Sequence, residues 1–212
     1  MRREQEKFVK EIITPHILDK RVVNAFLEVP RDEFVPAKLR KAAYLDEALP
    51  IGENQTISQP SLVAQMVDEL GLTGKEKVLD VGTGSGYQAA ILAKLAKEVH
   101  SIETQESLFR KATKLLKRLG FENVKTYLGD GSLGLPEEAL FDAIIVAAGT
   151  SKIPQALVDQ LKEGGRIVIP IGETDAWQNL VKGVKEKGEL EITNLGGVKF
   201  VPLKTKLQKT LN

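Results

Sequence analysis

Apolar and polar positions along the chain follow two periods. From residue 78 onward, short runs of β-branched and aliphatic residues alternate with stretches whose apolar positions recur every three or four residues. This pattern predicts βαβ units on a parallel sheet. The expected strands are 77–81, 99–102, 124–128, 143–146 and 166–170, with helices at 88–95, 107–119 and 154–161. Ala143-Ile144-Ile145-Val146 is apolar throughout, as a central strand covered on both faces should be. Gly120 stops the second helix, and Gly164-Gly165 reads as the turn into the fifth strand. Beyond it, 179–185, 189–195 and 198–203 alternate and predict antiparallel strands at one edge.

Residues 1–74 have another texture, with helical patterns at 5–13, 20–28 and 60–70 separated by Pro15, Pro30, Pro36 and Pro50. The expected architecture is α/β: a doubly wound, mostly parallel sheet in 75–212, a helical N-terminal cap in 1–74, and one compact unit. A chain of 212 residues buries one full core but hardly a second domain. No internal repeat suggests a solenoid.

Composition narrows the partners. Thirty Lys and Arg against 29 Asp and Glu give a formal charge of +1, so no global field draws the protein to nucleic acid or to anionic membranes. The absence of cysteine excludes disulfides, thiolate zinc sites and a cysteine nucleophile, and points to the cytoplasm. The charged N-terminus lacks the apolar run of a signal peptide, and no later run could span a bilayer. No cysteine, two methionines and abundant Lys and Glu match thermophile trends, although such trends describe proteomes better than single chains.

Candidate chemistry begins at Asp80-Val81-Gly82-Thr83-Gly84-Ser85-Gly86-Tyr87, a glycine-rich loop between a strand and a helix. Ligands bind at such strand ends in open α/β sheets, where glycine admits close approach and the helix offers free N–H groups. A dinucleotide fingerprint would need glycine where Tyr87 stands, and no Gly-Lys-Ser/Thr follows to cradle a triphosphate. Glu103 ends the second strand, placed to accept both hydroxyls of a ribose. Asp130 follows the third strand beside Gly131, placed to accept from an adenine amine. Taken singly, the glycines fit a tight turn, Glu103 a solvated strand end and Asp130 an Asp-Gly turn. Together, in order and at strand ends, they suit a nucleoside without phosphates.

This constellation of Asp80, Gly82, Thr83, Gly84, Ser85, Gly86, Glu103, Asp130 and Gly131 resembles the class I methyltransferase pattern. Its ligand is S-adenosyl-L-methionine, and S-adenosyl-L-homocysteine is the product. Upstream, Thr56-Ile57-Ser58-Gln59-Pro60 is similar to the stretch that precedes the glycine loop in the protein-L-isoaspartate O-methyltransferase family. The resemblance extends to Val29 through Pro36, Ile153-Pro154-Gln155-Ala156-Leu157 and Phe200-Val201-Pro202-Leu203, nearly the whole chain.

That resemblance implies protein repair: methyl transfer to the α-carboxylate of L-isoaspartyl residues in damaged proteins and peptides, whose ester then collapses to a succinimide. It implies that Ser58 is the active-site serine, that Thr56 and Ile57 cover the cofactor, and that Val201, Pro202 and Leu203 contact substrate. A carboxylate is already nucleophilic at neutral pH, so alignment and desolvation suffice, with no metal and no strong base. For Ser58 itself, physics also allows an N-cap of the helix entered at Pro60. The 198–203 strand is expected to pair with the incoming peptide through its backbone.

The alternatives are a class I methyltransferase acting on a small molecule or RNA, and a non-catalytic S-adenosylmethionine-binding module. Ala147-Ala148-Gly149-Thr150 stands where amine-methylating relatives carry an Asn/Asp-Pro-Pro-Tyr stretch, and cytosine C5 chemistry needs a cysteine. His16 and His100 have no companion at metal-ligand spacing and are assigned no chemistry. Trp177 and Tyr87 are read as packing. A monomer is expected.

Overall fold

The computed structural model describes residues 2–173 and 177–204. Two short strands, β1 (Leu49–Gly52) and β2 (Gln55–Ile57), precede β3 (Lys77–Val81), β4 (Glu98–Glu103), β5 (Val124–Leu128), β6 (Phe141–Val146), β7 (Leu161–Ile171), β8 (Gln178–Glu186) and β9 (Glu189–Val198). The helices are α1 (Arg2–Phe8), α2 (Lys20–Glu28), α3 (Pro60–Glu69), α4 (Tyr87–Ala93), α5 (Glu106–Arg118) and α6 (Gln155–Asp159). A π-helical turn, Val9–Ile13, continues α1.

The main sheet runs β5-β4-β3-β6-β7-β8-β9. The first five strands are parallel, and β8 and β9 are antiparallel. β6 is central, as its unbroken apolar run predicts. Strand periodicity sorts the side chains: Val78, Ala143, Ile145 and Val168 face one core, and Leu79, Val81, Ile144, Ile167 and Ile169 the other. Phe8, Phe26 and Met66 of the N-terminal part belong to the first core, so sheet and cap share it. Each such side chain contributes about 1.5–3 kcal/mol by leaving water.

Three expectations are corrected. The N-terminal part is not purely helical, because β1 and β2 form a hairpin whose two turn residues, Glu53 and Asn54, have φ of 54° and 55°. That left-handed pair matches the twist of a tight hairpin, and Asn54 is the residue that tolerates it best. Gly164-Gly165 is not a turn between elements. It lies within β7, where pairing with β6 slips between Leu161 and Arg166, and it leaves α6 only five residues.

The third concerns 198–203, which is not a strand pairing at the sheet edge. β9 ends at Val198, and the chain then crosses to the end of β6. There Gly149 N–H donates to the Val201 carbonyl and Leu203 N–H donates to the Gly149 carbonyl, both at 2.8 Å. The buried amide of Gln178 draws the chain off the edge: it donates to the Phe200 carbonyl (3.1 Å) and accepts from the Phe200 N–H (2.9 Å). No helix among the described residues is long and apolar enough to cross a membrane.

Beneath the glycine loop lies a buried polar chain. Asp80, fully buried, accepts from Gln88 Nε2 (2.8 Å) and from Ser101 Oγ (2.6 Å), and the Ser101 hydroxyl sits 2.6 Å from that of Thr83. Burial pushes the Asp80 carboxyl up to about 6, against the hydrogen bonds of Ser101 and Gln88 and with the charge of Glu103 adding to the rise. A carboxyl that titrates higher in the folded than in the unfolded chain stabilises most below its unfolded pKa, and that contribution is lost as pH rises through the folded value. Asp80→Asn lacks this loss, and Gln88 Oε1, buried without a partner among the described residues, can accept from the new amide once Gln88 turns over. The variant's stability relative to the parent should therefore rise by up to about 3 kcal/mol between about pH 4 and about pH 7. Urea midpoints at a series of pH values measure it, and parallel profiles would show that Asp80 stays ionised.

Candidate active site

The strand order reverses at β3, which has β4 on one side and β6 on the other. The loop leaving β3 leans toward β4: Gly82 and Thr83 N–H donate to the Ile102 carbonyl at 2.9 and 3.2 Å. Gly86 enters α4 with φ of 88°, and a Cβ there would stand 3.3 Å from Leu116. Its glycine thus lets α4 start under α5 rather than meeting a ligand. Gly131 has the opposite need for space: a Cβ would fall 2.5 Å from Val81 Cγ1, so only glycine brings that backbone against the end of β3.

Glu103, 6% exposed, closes the other side of the loop. Its Oε2 accepts from Gly84 N–H (2.9 Å) and its Oε1 from Gln105 N–H (2.8 Å), which fixes the carboxylate while leaving lone pairs on both oxygens. Glu103 and the loop face a narrow cavity. Thr56, Ile57, Gly82, Thr83, Gly84, Ser85 and Gly131 line it too, eight of the residues expected around a cofactor. The other three lie behind it. Asp80 is buried in the polar chain, Gly86 packs on α5, and Asp130 caps the turn Gly131–Leu133 by accepting from Ser132 N–H (3.0 Å) and Oγ (2.7 Å).

A second cavity of about 620 Å³ adjoins the first, and Thr56, Ser58, Ala147 and Val201 line both. Pro202 and Leu203 line only the first. The N-cap reading of Ser58 is corrected: Gln59 is the cap residue of α3, no side chain caps it, and the Ser58 hydroxyl has no hydrogen-bond partner among the described residues. Its backbone is nevertheless fixed. Arg31, fully buried, donates from Nη2 to the Ser58 carbonyl (2.8 Å) and the Glu47 carbonyl (3.3 Å) and from Nε to the Ala43 carbonyl (3.0 Å), its guanidinium 5.0 Å above the Tyr87 ring. Burial lowers the Arg31 pKa, with Tyr87 and Asp46 opposing.

Sequence reasoning passed over Arg31, Gln55, Gln105, Ala147 and Ala148. The two alanines directly follow β6, the same strand-end rule that singled out Glu103. Tyr87 is packed between Phe26 and Phe34, 1% exposed, with an edge on the first cavity. Trp177 is not packing: it is 76% exposed and lines the second cavity. His100 is buried in β4, outside both cavities, with Nδ1 3.0 Å from the Tyr127 hydroxyl. Burial and the charge of Lys77 lower its pKa. The side chain of His16 lies outside the described residues. Among the described residues no group of three or more His, Cys, Asp or Glu could hold a metal.

The family model described as protein-L-isoaspartate(D-aspartate) O-methyltransferase matches residues 2–208. A protein-L-isoaspartate O-methyltransferase 1 of Syntrophobacter fumaroxidans is 51% identical over 193 residues, 91% of this chain and 90% of its own. A solved structure described as protein-L-isoaspartate O-methyltransferase superposes with a TM-score of 0.86 at 32% identity, covering 98% of this chain and 67% of that one. A Plasmodium falciparum structure described as a protein-L-isoaspartate O-methyltransferase in complex with S-adenosyl-L-homocysteine gives 0.83 at 29% identity, over 97% and 98%. These matches do not favour a small-molecule or RNA methyltransferase or a non-catalytic module. With its glycine loop at the strand-order reversal, Ser58 in the wall between two cavities, and likeness along nearly its whole length, the chain belongs to the protein-L-isoaspartate(D-aspartate) O-methyltransferase family.

Proposed function

We propose that the two cavities divide methyl transfer between them, with S-adenosyl-L-methionine in the first and the isoaspartyl residue of a damaged protein or peptide in the second. The observation that carries this reading is their common wall, to which Ser58 contributes a hydroxyl with no hydrogen-bond partner among the described residues. The first cavity suits the cofactor chemically. It holds one fixed carboxylate, apolar walls from Ile57, Val63, Ile102 and Ala147, and Lys204 as the single cation among its described lining residues. A ribose, an adenine and a sulfonium fit such a lining better than a pyrophosphate does.

When bound, the cofactor supplies a methyl group on a cationic sulfur. The chain's own groups do the rest. Glu103 accepts from the ribose hydroxyls on lone pairs that Gly84 and Gln105 leave open. Thr56 and Ile57 cover the cavity, while Asp80 supports the loop from beneath and Asp130 sets the backbone of Gly131. Ser58 donates to one oxygen of the substrate carboxylate, aiming the other through the common wall and replacing water that would blunt its attack. Val201, with Pro202 and Leu203 behind it, closes the opposite side. S-adenosyl-L-homocysteine and a methyl ester are the products.

We take the protein to act in the cytoplasm as a monomer on polypeptide substrates alone, since its near-zero net charge gives no pull toward nucleic acid. The lack of cysteine and the wealth of Lys and Glu support work in a reducing compartment at raised temperature.

Two substitutions test the division of labour. Glu103→Gln should weaken S-adenosyl-L-methionine binding by about 1–2 kcal/mol in isothermal titration, as removal of a charged acceptor does. An unchanged dissociation constant in a folded variant would remove Glu103 from the ribose site. Ser58→Ala should lower kcat on an isoaspartyl peptide by about ten- to a hundredfold, the value of a hydrogen bond to a charged group, with cofactor affinity and melting temperature nearly unchanged. Full turnover in that variant would sink the assignment of Ser58.

A further inference from the structure

The second cavity is much larger than one aspartyl residue needs, and the chain's only tryptophan forms part of its wall. Trp177 keeps 76% of its surface exposed, an unusual arrangement for so large an apolar ring. Its root is nevertheless firm. The neighbouring Gln178 is 1% exposed and holds both backbone groups of Phe200. A Cβ on Gly149 would lie 2.5 Å from Gln178 Nε2, and one on Gly172 would lie 3.0 Å from Gln178 Cα and 3.2 Å from the Trp177 carbonyl oxygen. The chain at 172 therefore packs closely against the backbone of Trp177 and Gln178. Beside the ring, Gly197 contributes no side chain, where a Cβ would stand 3.7 Å from Trp177 Cε3.

From this geometry we infer that Trp177 is a subsite for a side chain flanking the isoaspartate, one that takes aromatic and large aliphatic residues. The inference rests on the second cavity being the peptide site. A rigidly rooted indole offers a wide apolar face at low entropic cost, so it adds affinity for many side chains without demanding one. This suits a protein that must accept damage in unrelated sequence contexts. The cavity joins the cofactor pocket through Ser58 and Val201, which keeps a residue bound against Trp177 on the same peptide as the reacting carboxylate.

The test compares two sets of isoaspartyl peptides, one with glycine at the two positions on each side and one with Phe or Leu placed at each of those positions in turn. With Trp177→Ala, KM for the best Phe or Leu peptide should rise about five- to tenfold. KM for the glycine peptide, kcat for both sets and the cofactor dissociation constant should stay within about twofold of the parent. Trp177→Phe should restore most of the preference. An equal rise for glycine and Phe peptides, or no rise for either, would overturn the subsite. Gln65→Trp, which fills the cavity from α3, separates that failure from failure of the cavity assignment. If the peptide binds there, KM rises for every peptide, whereas an unchanged KM would remove the peptide from this cavity and the subsite with it.

Discussion

The reversal of strand order at β3 is the constraint from which the site follows. With β4 on one side and β6 on the other, the loops leaving β3 and β6 must part. The first is held toward β4 through the Ile102 carbonyl, and the second begins where Ala147 N–H donates to the Val81 carbonyl (2.9 Å). A crevice is left above β3 that no strand fills. The glycine loop, the Glu103 carboxylate and the Gly131 backbone all reach it because each lies at the same end of a parallel strand. The sheet supplies a floor and two walls, but it cannot supply a roof.

The roof comes from segments with little core of their own: the β1–β2 hairpin with the residues after it, and the crossing chain at 199–204. Each is moored by one buried polar side chain reaching across the sequence. Arg31 holds the carbonyl of Ser58, 27 residues away, and Gln178 holds Phe200, 22 residues away. A buried backbone group left without a partner costs about 1–3 kcal/mol, so each bond fixes the segment's position as well as its stability. Arg31 carries a price: among the described residues Nη1 has no hydrogen-bond partner, and neither has Oδ2 of the adjacent Asp32. Incomplete satisfaction of buried polar groups beside an active segment is the kind of local conflict a fold tolerates where position matters.

The parallel half of the fold was legible because burial on both faces writes itself into sequence as unbroken apolar runs, as at 143–146. Glu103 and the loop glycines were legible because strand ends and glycine spacing are local, whereas Thr56 stood out only through the resemblance of 56–60 to the family's stretch. What escaped depended on contacts far apart in the chain. Nothing near Val201 announces that Gly149 will pair with it, since the cause is the amide of Gln178. The hairpin was hidden among prolines because its strands have only four and three residues, too few to show alternation. Asp80 looked like a ligand because it shares a strand end with the glycine loop. Strand alternation turns it under the loop, fully buried, and only the positions of Gln88 and Ser101 reveal the polar chain it belongs to.

The path of 199–203 also changes what recognition can rest on. With the Val201 carbonyl and the Leu203 N–H bonded to Gly149, and both groups of Phe200 bonded to Gln178, little backbone remains there to add a peptide strand. Any pairing with a peptide at 200–203 is therefore short. In the proposed reading, selectivity rests on distance. In isoaspartate the free carboxylate sits directly on the α-carbon, whereas in aspartate it stands one methylene farther out, about 1.5 Å. A misplacement of about 1 Å is enough to cost about a hundredfold in rate when the reacting atoms must be aligned. A wall whose serine is pinned by a buried guanidinium can apply that measure, and a looser wall could not. On the role proposed for Ser58, its mooring and the discrimination between the two carboxylates are one requirement met by the same hydrogen bond.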